Sequence, residues 1–123
     1  MNLFSGGFIS GNKLVLEDYL IPLPGRVFPL VQNNQGVTLG MRQEAISLSA
    51  EAASPAGIQW PAEVETFEAD FVHRTQTVYL RTGHWSYSSL CPLDMGFRTG
   101  QLVRAQLDPG RCYFFDTNSG LRL

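Results

Sequence analysis

The side chains able to do chemistry in this sequence are few: His73, His84, Cys91, Cys112, and the carboxylates Glu63, Glu65, Glu68 and Asp70. The two histidines and two cysteines are a nominal tetrahedral zinc set. Structural zinc sites, however, bring at least one short-range ligand pair such as CxxC or HxxxH, and this chain has neither. A nucleophilic Cys–His pair is no better specified, since two residues of each type offer only arbitrary combinations. Ser86, Ser88 and Ser89 lack the Gly-x-Ser-x-Gly elbow that exposes a serine nucleophile and read as the polar face of a half-buried strand. The four carboxylates lie on one strand region without the ligand spacing of an EF-hand, so they read as a solvated strand face. Ser5-Gly6-Gly7 has neither the Lys-Ser/Thr ending of a Walker loop nor the third glycine of a dinucleotide loop. It reads as a turn that uses the conformational freedom of glycine. No catalytic, cofactor-binding or metal-binding residue is assigned, and the chain is expected not to be an enzyme.

The elements that hold these residues are short strands. Eight Phe and four Tyr favour strands, and twelve Gly and seven Pro supply the turns between them. Residues 3–9 read as a strand bent at the glycines, followed by a turn at Gly11-Asn12, a strand over 13–16 and a proline-bearing edge strand over 19–25. Residues 27–35 form a connector with a helical turn. Val37–Met41 and Ile46–Ser49 are strands. Ile58 to Phe71 is apolar at Ile58, Trp60, Ala62 and Val64 and then at Phe67, Ala69 and Phe71. That one-residue slip in a period of two predicts a β-bulge. Arg74–Arg81 and His84–Leu90 form a hairpin about Thr82-Gly83, with Trp85 and Tyr87 on one face as core. Strands over 102–107 and 112–115 follow, then a turn at 116–120 and a short final strand over 121–123. The small-residue stretch Glu51–Gly57 marks the best subdomain boundary. No segment keeps helical apolar spacing, so the chain is expected to be a mostly β protein, a barrel or sandwich with at most short helical turns.

Bulk properties narrow the function. The 123 residues suffice for one domain with a core, and 44% hydrophobic against 16% charged residues is an ordinary globular composition. The net charge is −2 and the nine cations are scattered, so no phosphate-tracking surface exists and nucleic-acid binding is not expected. No apolar run approaches the ~20 residues needed to cross a bilayer as a helix. Two cysteines without a secretion signal read as reduced thiols.

Three stretches carry a resemblance. The closing segment, from Leu107-Asp108-Pro109 through Phe115-Asp116 to Gly120-Leu121-Arg122-Leu123, resembles the closing motif of the carboxy-terminal regulatory region of ABC-importer ATPase subunits. Leu39-Gly40-Met41-Arg42-Gln43-Glu44-Ala45-Ile46 resembles a second motif of that region, commonly Leu-Gly-Ile-Arg-Pro-Glu-His-Ile. Met1-Asn2-Leu3-Phe4-Ser5-Gly6 looks like the stretch that opens it. Gln43 replaces the usual Pro and Ala45 the common His, which implies a slightly less rigid corner. The similarity is to subunits serving sugar or glycerol-3-phosphate importers, the group of the maltose transporter ATPase.

That resemblance implies an OB-like β-barrel of the TOBE type, with residues 1–35 as opening strands and connector and 36–123 as the barrel. It implies a non-catalytic regulatory and dimerisation domain whose ATPase domain, with its ATP and Mg, lies outside this chain. The implied partners are a second ATPase subunit, the attached ATPase domain, a regulatory protein and, indirectly, the membrane permease subunits. The implied location is the cytoplasmic face of the bacterial plasma membrane. Arg42 and Glu44 are the candidate corner or partner residues. The rival reading is a small β-domain that binds an oxyanion such as molybdate, for which Ser86, Ser88 and Ser89 are the candidate donors.

Overall fold

The computed structural model describes residues 1–49 and 58–123, so the expected boundary at Glu51–Gly57 lies outside the described residues. Among those residues the chain forms ten β-strands and three short 3-10 turns, and no longer helix. None of its helices is long and apolar enough to cross a membrane. Two compact units form: Met1–Met41 with Pro109–Leu123, and Arg42–Asp108.

The first unit is a five-stranded antiparallel sheet. Its strands are β1 (Asn2–Ser10), β2 (Lys13–Leu16), β3 (Tyr19–Pro22), β4 (Gly36–Met41) and β10 (Tyr113–Asp116). They are ordered β10-β4-β1-β2-β3. Pro22, which has no N–H to donate, sits on the edge strand β3 as its chemistry requires. The glycine bend in β1 is a register shift between Phe4 and Gly7, with Gly6 at φ 87°. The bend changes the phase of the strand, so Phe4 and Ile9, five positions apart, are both buried. Gly7 is required for a second reason. A Cβ there would lie 2.8 Å from both Leu14 Cδ1 and the Val37 carbonyl oxygen. Leu14, Leu16, Ile21, Val37, Leu39 and Phe114 are also in the buried apolar set of this unit. A 3-10 turn at Phe28–Leu30 stands in the connector, and Arg26 donates to the Cys112 carbonyl at 3.0 Å.

The second unit is also five-stranded: β5 (Ile46–Ser49), β6 (Ile58–Asp70), β7 (Thr75–Thr82), β8 (Trp85–Pro92) and β9 (Leu102–Leu107). The order is β5-β9-β6-β7-β8. The bulge expected in β6 is present as a register shift between Val64 and Thr66 against β7. The β7–β8 turn falls at Gly83-His84, one residue later than expected. Thr82 stays in the strand because its hydroxyl donates to the Pro61 carbonyl at 2.8 Å and lies 2.7 Å from the Tyr87 hydroxyl. The core is aromatic: Trp60 stacks on Trp85 at 5.6 Å and meets Tyr87 edge-on at 6.3 Å.

Candidate functional site

The polar corner between β4 and β5 is one 3-10 turn, Gln43–Ala45, with Arg42 in extended conformation before it. The Ala45 N–H donates to the Arg42 carbonyl at 3.0 Å, which tightens the turn and buries Ala45. Arg42 and Glu44 are exposed on it. Gln43 turns inward, and its Nε2 donates to the Ser88 hydroxyl at 2.7 Å. One residue further along β8, the Ser89 hydroxyl donates to the Ile46 carbonyl at 2.6 Å. These two bonds fasten β8, the last strand of the sheet order, to the corner and start of β5, the first. The sheet is thereby curled upon itself.

The Gln43 side-chain amide is therefore a tether. The sequence had placed Ser86, Ser88 and Ser89 together on the polar side of a half-buried strand. In the fold Ser88 and Ser89 are both buried, at 8% and 0% exposure, while Ser86 is exposed. Their hydroxyls serve internal bonds, and Ser86 lies 3.4 Å from Glu65.

The other candidates are dispersed. His73 Nδ1 meets Asp70 Oδ2 at 2.7 Å, and the same carboxylate accepts the Val72 and His73 N–H groups at the β6–β7 turn. These bonds, the His73 side chain foremost, hold the Asp70 carboxyl below its usual range. His84 lies against Trp85 at 4.8 Å. Cys91 and Cys112 are buried and not joined in a disulfide, and they belong to different units. Burial pushes the Cys91 thiol up, partly offset by Ser89. Among the described residues no group of three or more His, Cys, Asp or Glu is placed to hold a metal ion. Trp85 and Tyr87 are core residues, at 6% and 4% exposure, and offer no stacking surface.

On the first unit a shallow hollow of about 330 Å³ is lined by Leu3, Thr38, Phe115, Asp116, Thr117 and Gly120. The Thr38 and Thr117 hydroxyls are 3.2 Å apart across it. Asp116 is held below the ordinary carboxylate range by the Ser119 side chain, then by Gln35, and keeps its negative charge. An ionised carboxylate in the wall opposes an anionic ligand.

The internal bonding roles of the polar residues that organise the second unit, Gln43, Thr82, Ser88, Ser89 and Gln76, are not foreseen by the sequence analysis. Gln76 is 4% exposed and its Nε2 donates to the Pro92 and Met95 carbonyls at 2.9 and 2.6 Å. One signal was available for two of them. Gln76, Val78, Leu80 and Thr82 alternate on one face of β7, so two polar residues sit in an otherwise apolar row.

No protein-family model and no curated protein matches this chain. Solved structures do match. One is the cytoplasmic molybdate-binding protein ModG, solved with molybdate bound. It superposes with a TM-score of 0.71 over 92% of this chain and 94% of that one, at 13% identity. The fold is OB-like. The expected class, a mostly β protein of OB-like elements joined by short strands and turns, is what the chain adopts.

Proposed function

We propose that this chain is a non-catalytic, TOBE-type regulatory and dimerisation region of the ATP-binding subunit of an ABC importer for sugars or glycerol-3-phosphate. The observation that carries the reading is where the three resembling stretches lie. The opening motif is on β1, the second begins on β4 and the closing motif includes β10. These strands are neighbours in one sheet, with Leu3↔Gly40 and Phe4↔Leu39 on one side of β4 and Tyr113↔Gly40 and Phe114↔Leu39 on the other. Segments far apart in sequence and selected only by resemblance thus meet as adjacent strands around Leu39 and Gly40. The OB-like fold is compatible with the same role.

In this reading two copies associate and hold their ATPase domains together at the cytoplasmic face of the membrane while those open and close. A regulatory protein that binds one state better than the other shifts the resting equilibrium. The test is the full-length subunit without residues 36–123. Loss of control over its ATPase with the hydrolytic site intact supports the proposal, and unchanged transport and regulation refutes it.

A second reading, oxyanion binding, is favoured by the likeness to a protein solved with molybdate bound. Calorimetric titration of the chain with molybdate, tungstate and sulfate decides it. Saturable heat supports an anion site, and no heat with all three removes it. The internally bonded serines, the ionised Asp116 and the single lysine, Lys13, weigh toward the first reading.

A further inference from the structure

The second unit carries one long strand that is only half covered. β9 pairs β6 from Ile58↔Leu107 to Glu63↔Leu102. The last bonds on that side are Val64 N–H to the Gln101 carbonyl at 2.9 Å and Gly100 N–H to the Val64 carbonyl at 2.7 Å. There the bulge at Glu65 intervenes, and residues 66–70 continue paired to β7 alone, through Asp70↔Thr75. Among the described residues no strand pairs with the opposite edge of 66–70. Every residue from Glu65 to Asp70 is exposed.

The two faces of this edge differ in chemistry. Residues directly opposite in an antiparallel pair share a face. Phe67 lies opposite Val78, and Ala69 opposite Gln76, so both extend the apolar face of β7; yet Phe67 remains 41% exposed. Thr66, Glu68 and Asp70 lie opposite Tyr79, Thr77 and Thr75 on the other face. From Glu65 to Asp70 the edge holds three acidic residues and no base.

We propose that the free edge of β6 at residues 66–70 takes up an extended segment of another polypeptide in which basic and apolar residues alternate. Such a strand would complete the ladder, set its basic side chains beside Glu68 and Asp70, and lay its apolar ones beside Phe67 and Ala69. The charge selects this occupant over a second copy of the chain. Antiparallel self-pairing of 65–70 sets one acidic row against another, and like charges opposite each other destabilise a sheet. This surface is independent of the importer reading.

The experiment is a nuclear-magnetic-resonance titration of the 123-residue chain with short blocked peptides of alternating residues. The expected result is that a lysine–valine peptide shifts the amide signals of 65–70 and a glutamate–valine peptide does not. N-methylation of one alternate set of peptide amides should abolish binding and of the other set should not, because a strand presents only alternate groups to each neighbour. Glu68→Lys, on an exposed position, should weaken binding by roughly threefold, as one reversed cross-strand charge pair would. The same charge change at the exposed Asp94 should not. No binding, binding unweakened by the Glu68 reversal, shifts confined to other residues, or self-association through 65–70 would each overturn the proposal.

Discussion

The Gln43 side-chain amide donates to the Ser88 hydroxyl at 2.7 Å, which ties the polar corner before β5 to the middle of β8. With the neighbouring bond from Ser89 to the Ile46 carbonyl, it converts an open five-stranded order into a curled one. Gln43→Ala and Ser88→Ala should each lower stability by about 1 kcal/mol in urea unfolding, the net value of one intramolecular hydrogen bond. The double variant should cost less than the sum of the two. Strict additivity would show that the pair is not coupled.

Gly7→Ala should destabilise the first unit by about 1–3 kcal/mol, because the new methyl group meets a backbone oxygen that cannot rotate away. Gly25→Ala is the matched control, since nothing lies within 4 Å of a Cβ there. Thermal melts of the two variants make the comparison, and equal melting temperatures would contradict the close approach of β1 to Leu14 and Val37.

Thr82→Val keeps the shape of the side chain and removes its hydroxyl. Thr82 is 2% exposed and its oxygen serves both the Pro61 carbonyl and the Tyr87 hydroxyl. Loss of both contacts should cost about 1–3 kcal/mol in denaturant unfolding. A change near zero would mean that water or a rotated Tyr87 replaces them.

Asp70 and Asp116 are both held below their ordinary values, by His73 and by Ser119 respectively as the first causes. A depressed folded-state value means that the unfolded chain binds protons first, so stability falls with acidification. The contribution is whole above the ordinary aspartate range and disappears as pH drops through the lower folded values. The amides of Val72, His73 and Ser119, whose N–H groups these carboxylates accept, should lose exchange protection, measured against the intrinsic rate at each pH, over that acidic interval. Asp70→Asn and Asp116→Asn should remove most of the pH dependence at their own turns while leaving the other turn unchanged.

How much of this was legible in the sequence depends on how local its cause is. The bend at Ser5-Gly6-Gly7 and the bulge in β6 were readable because each leaves a phase error in an otherwise period-2 row. Pro22 declared an edge for the same kind of reason. The burial of Ser88 and Ser89 was not readable: three successive positions, Tyr87 to Ser89, point into protein only because the curled sheet closes over them. Nor does any local pattern tell Tyr113 to seek Gly40, since that pairing depends on the whole intervening chain. Arg42 and Glu44 flank the turn, while the residue between them does the fastening.

The first unit is assembled from both ends of the sequence around the stretch Arg42–Asp108. During synthesis β1 to β4 emerge early, but the outer edge of β4 has no mate until β10 leaves the ribosome, after the whole of the second unit has been made. The second unit needs nothing outside its own contiguous residues for its strand pairing and is free to fold first. The earlier-made sheet, by contrast, must wait with the backbone of Val37 to Gly40 unsatisfied, since those residues later pair with Asp116 to Tyr113. Order of manufacture and order of completion are thus reversed for the two halves.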